Sequence, residues 1–318
     1  MHRIRPHRDT APDEASAILA EARCADLLSL YTRGAALMRV ARASALQMMT
    51  IGSFVSVIVR ALESRGVRTA QLLEELGIRF PPRGDALDRV PFTAVAALLD
   101  AAVRETNDPY FGLFAADFMN VTSLHALGYT LLASGSLRDL CTRVTRHFAF
   151  VGQSAAPRFD EAKAELEFVR VTELPPLTDD ILGLFFTRLV ASVSAGAVRP
   201  LEVALHRPAL PDGERHRKTF GCPVRFGVLN TTFRFDPALL DRPFAGASPE
   251  LAEHNEKLLI AHRVLRGDSV DATMSLTETA YLLGLADRER FSSALRCWTD
   301  ETLCEHRARA RRLPIVTR

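Results

Sequence analysis

Lysine is almost missing from this chain: of 40 Lys+Arg, only Lys163, Lys218 and Lys257 are lysine. That bias suits a GC-rich bacterial genome and says little about activity. The charge balance excludes more. Basic residues number 40 and acidic residues 38, a formal net charge of +2, so there is no chain-wide basic field of the kind that coats nucleic acid. Any contact with nucleic acid has to be local. Cysteine is scarce and scattered (Cys24, Cys141, Cys222, Cys297 and Cys304), with no C-x-x-C pair and no histidine pair at zinc spacing. A disulfide framework or zinc module is therefore not expected, and reduced thiols in a cytoplasmic protein are. No apolar run reaches the length needed to span a bilayer, and the charged N-terminus is followed by acidic residues rather than a signal-peptide core. No membrane partner is expected.

Catalytic signatures are missing too. The sequence has no G-x-S-x-G elbow, P-loop, G-x-G-x-x-G, H-E-x-x-H or EF-hand loop. The nine histidines are dispersed, and His147 and His206 read as structural. Cys222 has no base near it in sequence. Asp179-Asp180 reads as a helix start, where acids favour the dipole, and Arg215-His216-Arg217-Lys218 as a wet helix face. No catalytic residue, metal site or cofactor follows, and the chain is not expected to be an enzyme.

What is present is pattern. Residues 1–47 are rich in alanine and arginine but poorly patterned, and are expected to be a dispensable extension. From residue 51 to 63, Phe54, Val55, Ile58, Val59 and Leu62 form a helical stripe ended by Gly66. A short helix over 69–76 stops at Gly77, and 81–85 is a loop. A helix after Pro91 carries Val95, Leu98, Leu99 and Val103. Asn107-Asp108-Pro109 caps a helix over 110–118, and helices follow at 124–133 and 137–150, the latter with Ser136 and Asp139 as its capping set. Strand character then takes over around Leu166, Phe168 and Val171, at Leu201, Val203 and Leu205, and at 231–235. Between them, 179–197 is apolar on most sides and reads as a buried helix. A last helix over 249–266 leads through the polar linker 267–271 to the C-terminal segment. The expected fold class is α+β: a helix-rich mixed domain over 48–258, then a small all-α segment over 259–318.

That segment is the sharpest feature. Leu276, Thr279, Ala280 and Leu283 line one helical face, with Ser275 and Glu278 as a capping box and Gly284 at the turn. Asp287 can cap a second helix whose inward stripe is Phe291, Leu295 and Trp298. Arg288, Glu289, Arg290, Ser292, Ser293 and Arg296 are left outside or on its flanks. This is the layout of a helix-turn-helix with a polar, arginine-bearing second helix. The run 305–312 adds four arginines against one acid.

Leu276-Thr-Glu-Thr-Ala-Tyr-Leu-Leu-Gly-Leu-Ala-Asp and Arg290-Phe-Ser-Ser-Ala-Leu-Arg-Cys-Trp-Thr resemble the second helix-turn-helix of AraC-type transcriptional regulators. Upstream, Asn107-Asp-Pro-Tyr-Phe-Gly-Leu, Leu127-Gly-Tyr-Thr-Leu-Leu-Ala-Ser, Leu137-Arg-Asp, Phe220-Gly-Cys-Pro-Val-Arg-Phe-Gly and Leu239-Leu-Asp-Arg-Pro resemble, in order and spacing, the arabinose-binding-like effector and dimerisation domain of one branch of that family. The resemblance implies a regulator that binds double-stranded promoter DNA, responds to an unidentified small-molecule effector, forms a homodimer and can engage RNA polymerase. Arg288, Glu289, Arg290, Ser292 and Ser293 would face the groove, and Arg296 and Arg307 would contact phosphates. It also implies a loss, because such regulators carry two helix-turn-helix units and only one is legible here. Asp300, Leu303 and His306 further depart from the family's usual glycine, proline and aromatic. The alternatives are a sensor that no longer reads DNA and modulates a full-length relative, or a decayed regulator. A truncated chain starting at Met48 is expected to unfold as cooperatively as the full chain in a denaturant titration; failure to fold would show that residues 1–47 are needed.

Overall fold

A computed structural model of the chain describes residues 48–78 and 89–266, together with Glu289, Ser292, Ser293 and Arg296. The extension 1–47, the loop expected at 81–85, the linker 267–271 and most of the expected helix-turn-helix lie outside the described residues. What is described is a mixed α+β domain, helices first and sheet later, as the pattern predicts.

The first described segment, β1 (Met49–Ile51), pairs antiparallel with β2 (Arg89–Pro91), Thr50 opposite Val90. Between them lie α1 (Gly52–Ser64) and α2 (Thr69–Glu75). Both stop where expected, at the left-handed Gly66 and Gly77. Next come α3 (Phe92–Thr106), which buries Val95, Leu98 and Leu99, and α4 (Phe111–Ala115). Asp108 starts α4 by accepting a hydrogen bond from the Tyr110 amide at 2.9 Å.

The stretch expected to be one helix over 124–133 is broken. A 3-10 turn, Val121–Leu124, precedes α5 (Ala126–Leu132), with His125 at a φ of 51° between them. Steric fit explains the sharp entry. A Cβ on Gly128 would lie 1.8 Å from the Val121 carbonyl oxygen, so only glycine lets α5 fold back onto that turn. In α6 (Leu137–His147), the Ser136 side chain accepts from the Asp139 amide at 3.2 Å, and Asp139 accepts from the Gly135 amide at 2.9 Å. The capping set is as expected.

Five strands then form a sheet in the order β3 (Ala155–Asp160), β4 (Glu165–Arg170), β7 (Thr231–Arg234), β5 (Glu202–Leu205), β6 (Val224–Phe226). Only β5 and β6 are parallel, and α8 (Gly213–Phe220) supplies the crossover that parallel strands need. The sequence pattern shows β4, β5 and β7 but not β1, β2, β3 or β6. The first two are three residues long and paired only through distant chain. β3 contains Pro157, which a strand tolerates at a sheet edge because the missing N–H faces outward. The long helix α7 (Pro176–Val193) starts three residues before its expected position and is buried along most of its length. Ile181, Leu184 and Val190 are fully covered, each worth roughly 1.5–3 kcal/mol by area removed from water. Finally α9 (Pro249–Arg266) packs on α5, with Ala252 and Leu259 buried. Among the described residues, no helix is long and apolar enough to cross a membrane.

Gly128→Ala is expected to destabilise the domain by about 1–3 kcal/mol or more, the usual cost of overpacking against a backbone that cannot yield. Gly135→Ala meets nothing closer than 3.8 Å and should be near neutral. Urea midpoints of the two variants provide the comparison.

Candidate functional site

Of the seven residues expected to contact DNA, four are described. Glu289, Ser292, Ser293 and Arg296 are all helical; Glu289, Ser293 and Arg296 are exposed and Ser292 is half-buried. Their spacings of three, four and seven put them on one side of a helix. Arg288, Arg290 and Arg307 lie outside the described residues.

The densest polar cluster of the domain is elsewhere, and sequence reading misses it. Asp179 does lie in the first turn of α7, as an acid at a helix start should, but the pair is not in water. The helix already begins at Pro176, and both carboxylates are buried, Asp180 completely. Asp180 Oδ2 accepts from Arg207 Nη1 in a buried ion pair, and its Oδ1 lies 3.0 Å from His216 Nε2. Asp179 Oδ2 accepts from the Arg207 amide at 3.1 Å, and its Oδ1 accepts from Thr231 Oγ1 at 2.7 Å. His216 is therefore not on a wet face, as its basic neighbours imply. It is fully buried, with Phe226 edge-on at 5.0 Å and Tyr110 at 5.7 Å between ring centroids.

Each partner comes from a different element. β5 ends at Leu205 and delivers Arg207, α8 delivers His216, β7 delivers Thr231, and the turn into α4 delivers Tyr110. The Tyr110 hydroxyl accepts from the Asp212 amide at 2.8 Å, and the Arg215 guanidinium lies 4.4 Å above its ring. Gly112 makes the approach possible, because a Cβ there would sit 2.7 Å from Asp180 Cβ. The signal in sequence was indirect: in a helix apolar on most sides, charged residues share the buried environment and need partners.

Burial holds the Asp179 carboxyl above the usual carboxylate range. The Thr231 hydroxyl opposes that rise, the neighbouring Asp180 adds to it, and His206 and the Arg207 amide oppose it. All four carboxylate oxygens are bonded within the cluster, while buried His216 Nδ1 has no hydrogen-bond partner among the described residues; the bonds tie the first turns of α7 to β5, β7 and α8. Of the other singled-out residues, His206 bonds the Val228 carbonyl through Nδ1 at 2.8 Å, and buried His147 lies 3.5 Å from Glu256 Oε1. Burial pushes the Cys222 and Cys141 thiols up, away from the thiolate.

A second polar junction ties the domain to the helix that leaves it. Arg143 of α6 donates to Asp139 at 2.7 Å and to Glu256 of α9 at 2.8 Å. Arg138 grips Asp241 at 2.6 and 3.0 Å and also Glu161, and its amide bonds the Leu240 carbonyl at 3.0 Å. The Phe244 amide donates to the Gly135 carbonyl at 2.9 Å and the Ser248 amide to that of Ala133 at 3.1 Å. The start of α9 is thereby fixed against α5 and α6.

Comparison with known proteins adds the following. Residues 66–244, more than half of the chain, match the family model of the arabinose-binding domain of AraC transcription regulators, N-terminal. Among solved structures, the chain is similar to the transcriptional regulator CdpR from Pseudomonas aeruginosa, with 14% identity and a TM-score of 0.49, over 80% of this chain and 98% of that one. No curated protein matches.

The raised Asp179 value carries a pH signature. Relative to the ordinary 3.8, the folded state keeps this proton to higher pH than the unfolded chain does. Stability should therefore fall as pH rises from the ordinary Asp value through the raised one. Asp179→Asn is expected to flatten that slope, whatever its effect on absolute stability. Urea midpoints across this range, with and without the substitution, measure it.

Proposed function

Because the chain belongs to the family defined by the N-terminal arabinose-binding domain of AraC transcription regulators, we propose that it is an effector-responsive transcriptional regulator acting on double-stranded promoter DNA. The family match over residues 66–244 carries this reading. The family is one of transcription regulators and not of enzymes. In the proposal, residues 48–258 bind a small-molecule effector and form a homodimer, and residues 259–318 read DNA. Tyr129, Leu132 and Leu251 lie exposed on the packed pair α5 and α9, which favours pairing of two copies through that face.

Arg288, Glu289, Arg290, Ser292 and Ser293 are the proposed groove-facing residues, with Arg296 and Arg307 on phosphates. The outward side shared by Glu289, Ser293 and Arg296 supports this assignment. An arginine at the groove favours guanine edges, whereas a phosphate contact carries no sequence information. We further propose that the first helix-turn-helix of the usual pair is lost. The unbroken run of α9 to Arg266 fits the remnant of a linking helix. A tandem reader can exceed a single one by about 10²–10⁴ through effective concentration. Loss of one unit therefore predicts weak, largely non-specific binding, recovered in part by a dimer.

The test is DNA binding at graded salt, comparing this chain with a version given an intact two-unit C-terminus. The expected result is weak binding by the chain and tight, selective binding by the restored version. Arg288→Ala should relax base preference. Arg307→Ala should weaken binding to all sequences alike and reduce the salt slope by about 1. Tight, selective binding by the monomer at moderate salt, or equal effects of the two alanines, would contradict the proposal.

A further inference from the structure

Along β4, Leu166, Phe168 and Arg170 alternate onto one face. That face is the one α7 covers: Leu166 is fully buried, and the Phe168 ring lies 6.1 Å from Phe186 and 5.3 Å from Phe148. An arginine at the third position of such a row is anomalous. Its side chain is only 10% exposed. Its Nε is shut off from solvent and has no hydrogen-bond partner among the described residues. Among the described residues its side-chain partner is Glu173, which accepts from Nη2 at 2.5 Å and is itself 94% exposed.

A guanidinium offers Nε and one Nη as a parallel fork that matches the two oxygens of a carboxylate. Here only the Nη2 half of that fork is used, by a side chain anchored three residues away that reaches in from water. Glu173 itself stays in water and holds Arg170 through that one bond, so it is readily displaced. The neighbourhood on that face is apolar and incompletely covered: Phe168, two residues back on the strand, and Phe148, 5.3 Å from it, are both half-buried.

We infer that Arg170 is the anchor of an effector site on the helix-covered face of the sheet. The effector is a small amphipathic carboxylate whose charged head takes both Nε and Nη2 and whose apolar body lies along Phe148 and Phe168. Glu173 occupies half of the anchor until the ligand displaces it. This assignment rests on the effector-binding reading above and does not depend on DNA binding. It also places the ligand against α7, the helix that holds the buried Asp179–Asp180 cluster.

Calorimetric titration of the full chain with decanoate, 1-decanol and acetate, in the absence of DNA, tests the site. Decanoate should bind saturably, 1-decanol about ten-fold or more weakly, as expected for loss of a charge-assisted pair, and acetate not measurably. Arg170→Gln should bring decanoate to the level of 1-decanol. Glu173→Gln removes the competing carboxylate from a solvent-exposed position, so it should leave folding intact and tighten decanoate binding; it decides the matter if Arg170→Gln does not fold. The inference is overturned if decanoate fails to bind, if 1-decanol binds equally well, or if Glu173→Gln leaves the affinity unchanged or lower. Promoter binding at graded salt is read separately, so failure of the ligand class and failure of the regulator reading remain distinct.

Discussion

Burying two adjacent carboxylates in one helix is the constraint around which this domain is arranged. Asp179 closes the first turn of α7 and Asp180 follows it, both out of water, where an unpaired charge would cost several kcal/mol. Their four oxygens are satisfied by Arg207, His216, Thr231 and the Arg207 amide. Those partners sit on or beside β5, β7 and α8. The crossover that makes β6 parallel to β5 is therefore pinned to the same helix that fills the core. An ion cluster of this kind adds little net stability relative to apolar packing. It does penalise any register in which the partners are misplaced.

The same helix faces two ways. Toward the sheet, Phe186 meets Phe168 and Phe233 at 6.1 and 4.8 Å; at its start, the carboxylates hold the strand ends. A ligand seated beside Phe168 and Arg170 would therefore press on an element whose position is already fixed by polar contacts at one end. The output end is held differently. Arg138, Arg143 and Glu256 join α6 to the segment entering α9 through partly exposed ion pairs, individually weak and open to adjustment. In the proposed function, ligand occupancy would reach the C-terminal segment through α9, held by these pairs and by its packing on α5.

The short sequence fragments that resemble the family acquire physical reasons in this fold. Gly112, in Asn107-Asp-Pro-Tyr-Phe-Gly-Leu, makes room for Asp180, and Tyr110 of the same fragment packs on His216. Gly128, in Leu127-Gly-Tyr, lies where any side chain would strike the Val121 carbonyl. Arg138 of Leu137-Arg-Asp and Asp241 of Leu239-Leu-Asp-Arg-Pro are partners across 103 residues. Fragments far apart in the chain are thus halves of single contacts, which is why their order and spacing carry more information than any one of them.

The local elements are legible in the chain's own pattern: the stripes of α1 and α3, the stops at Gly66 and Gly77, the Ser136 cap, the buried character of α7, and the α+β order. All of these follow from periodicity and backbone preference within a few residues. The fold alone reveals the three-residue strands β1, β2 and β6, too short to show a pattern and paired with chain far along the sequence, and the edge strand β3, whose Pro157 hides its strand character. It also decided the roles of Asp179, Asp180, Arg207 and His216. Read locally, acids at a helix start and a basic helical run belong in water. Only the convergence of α7, β5 and α8 takes them out of it, and once they are desolvated, charge pairing rather than helix propensity sets where each must lie. Arg170 follows the same rule: its place in an apolar row is visible in sequence, but its half-used guanidinium is a property of the fold.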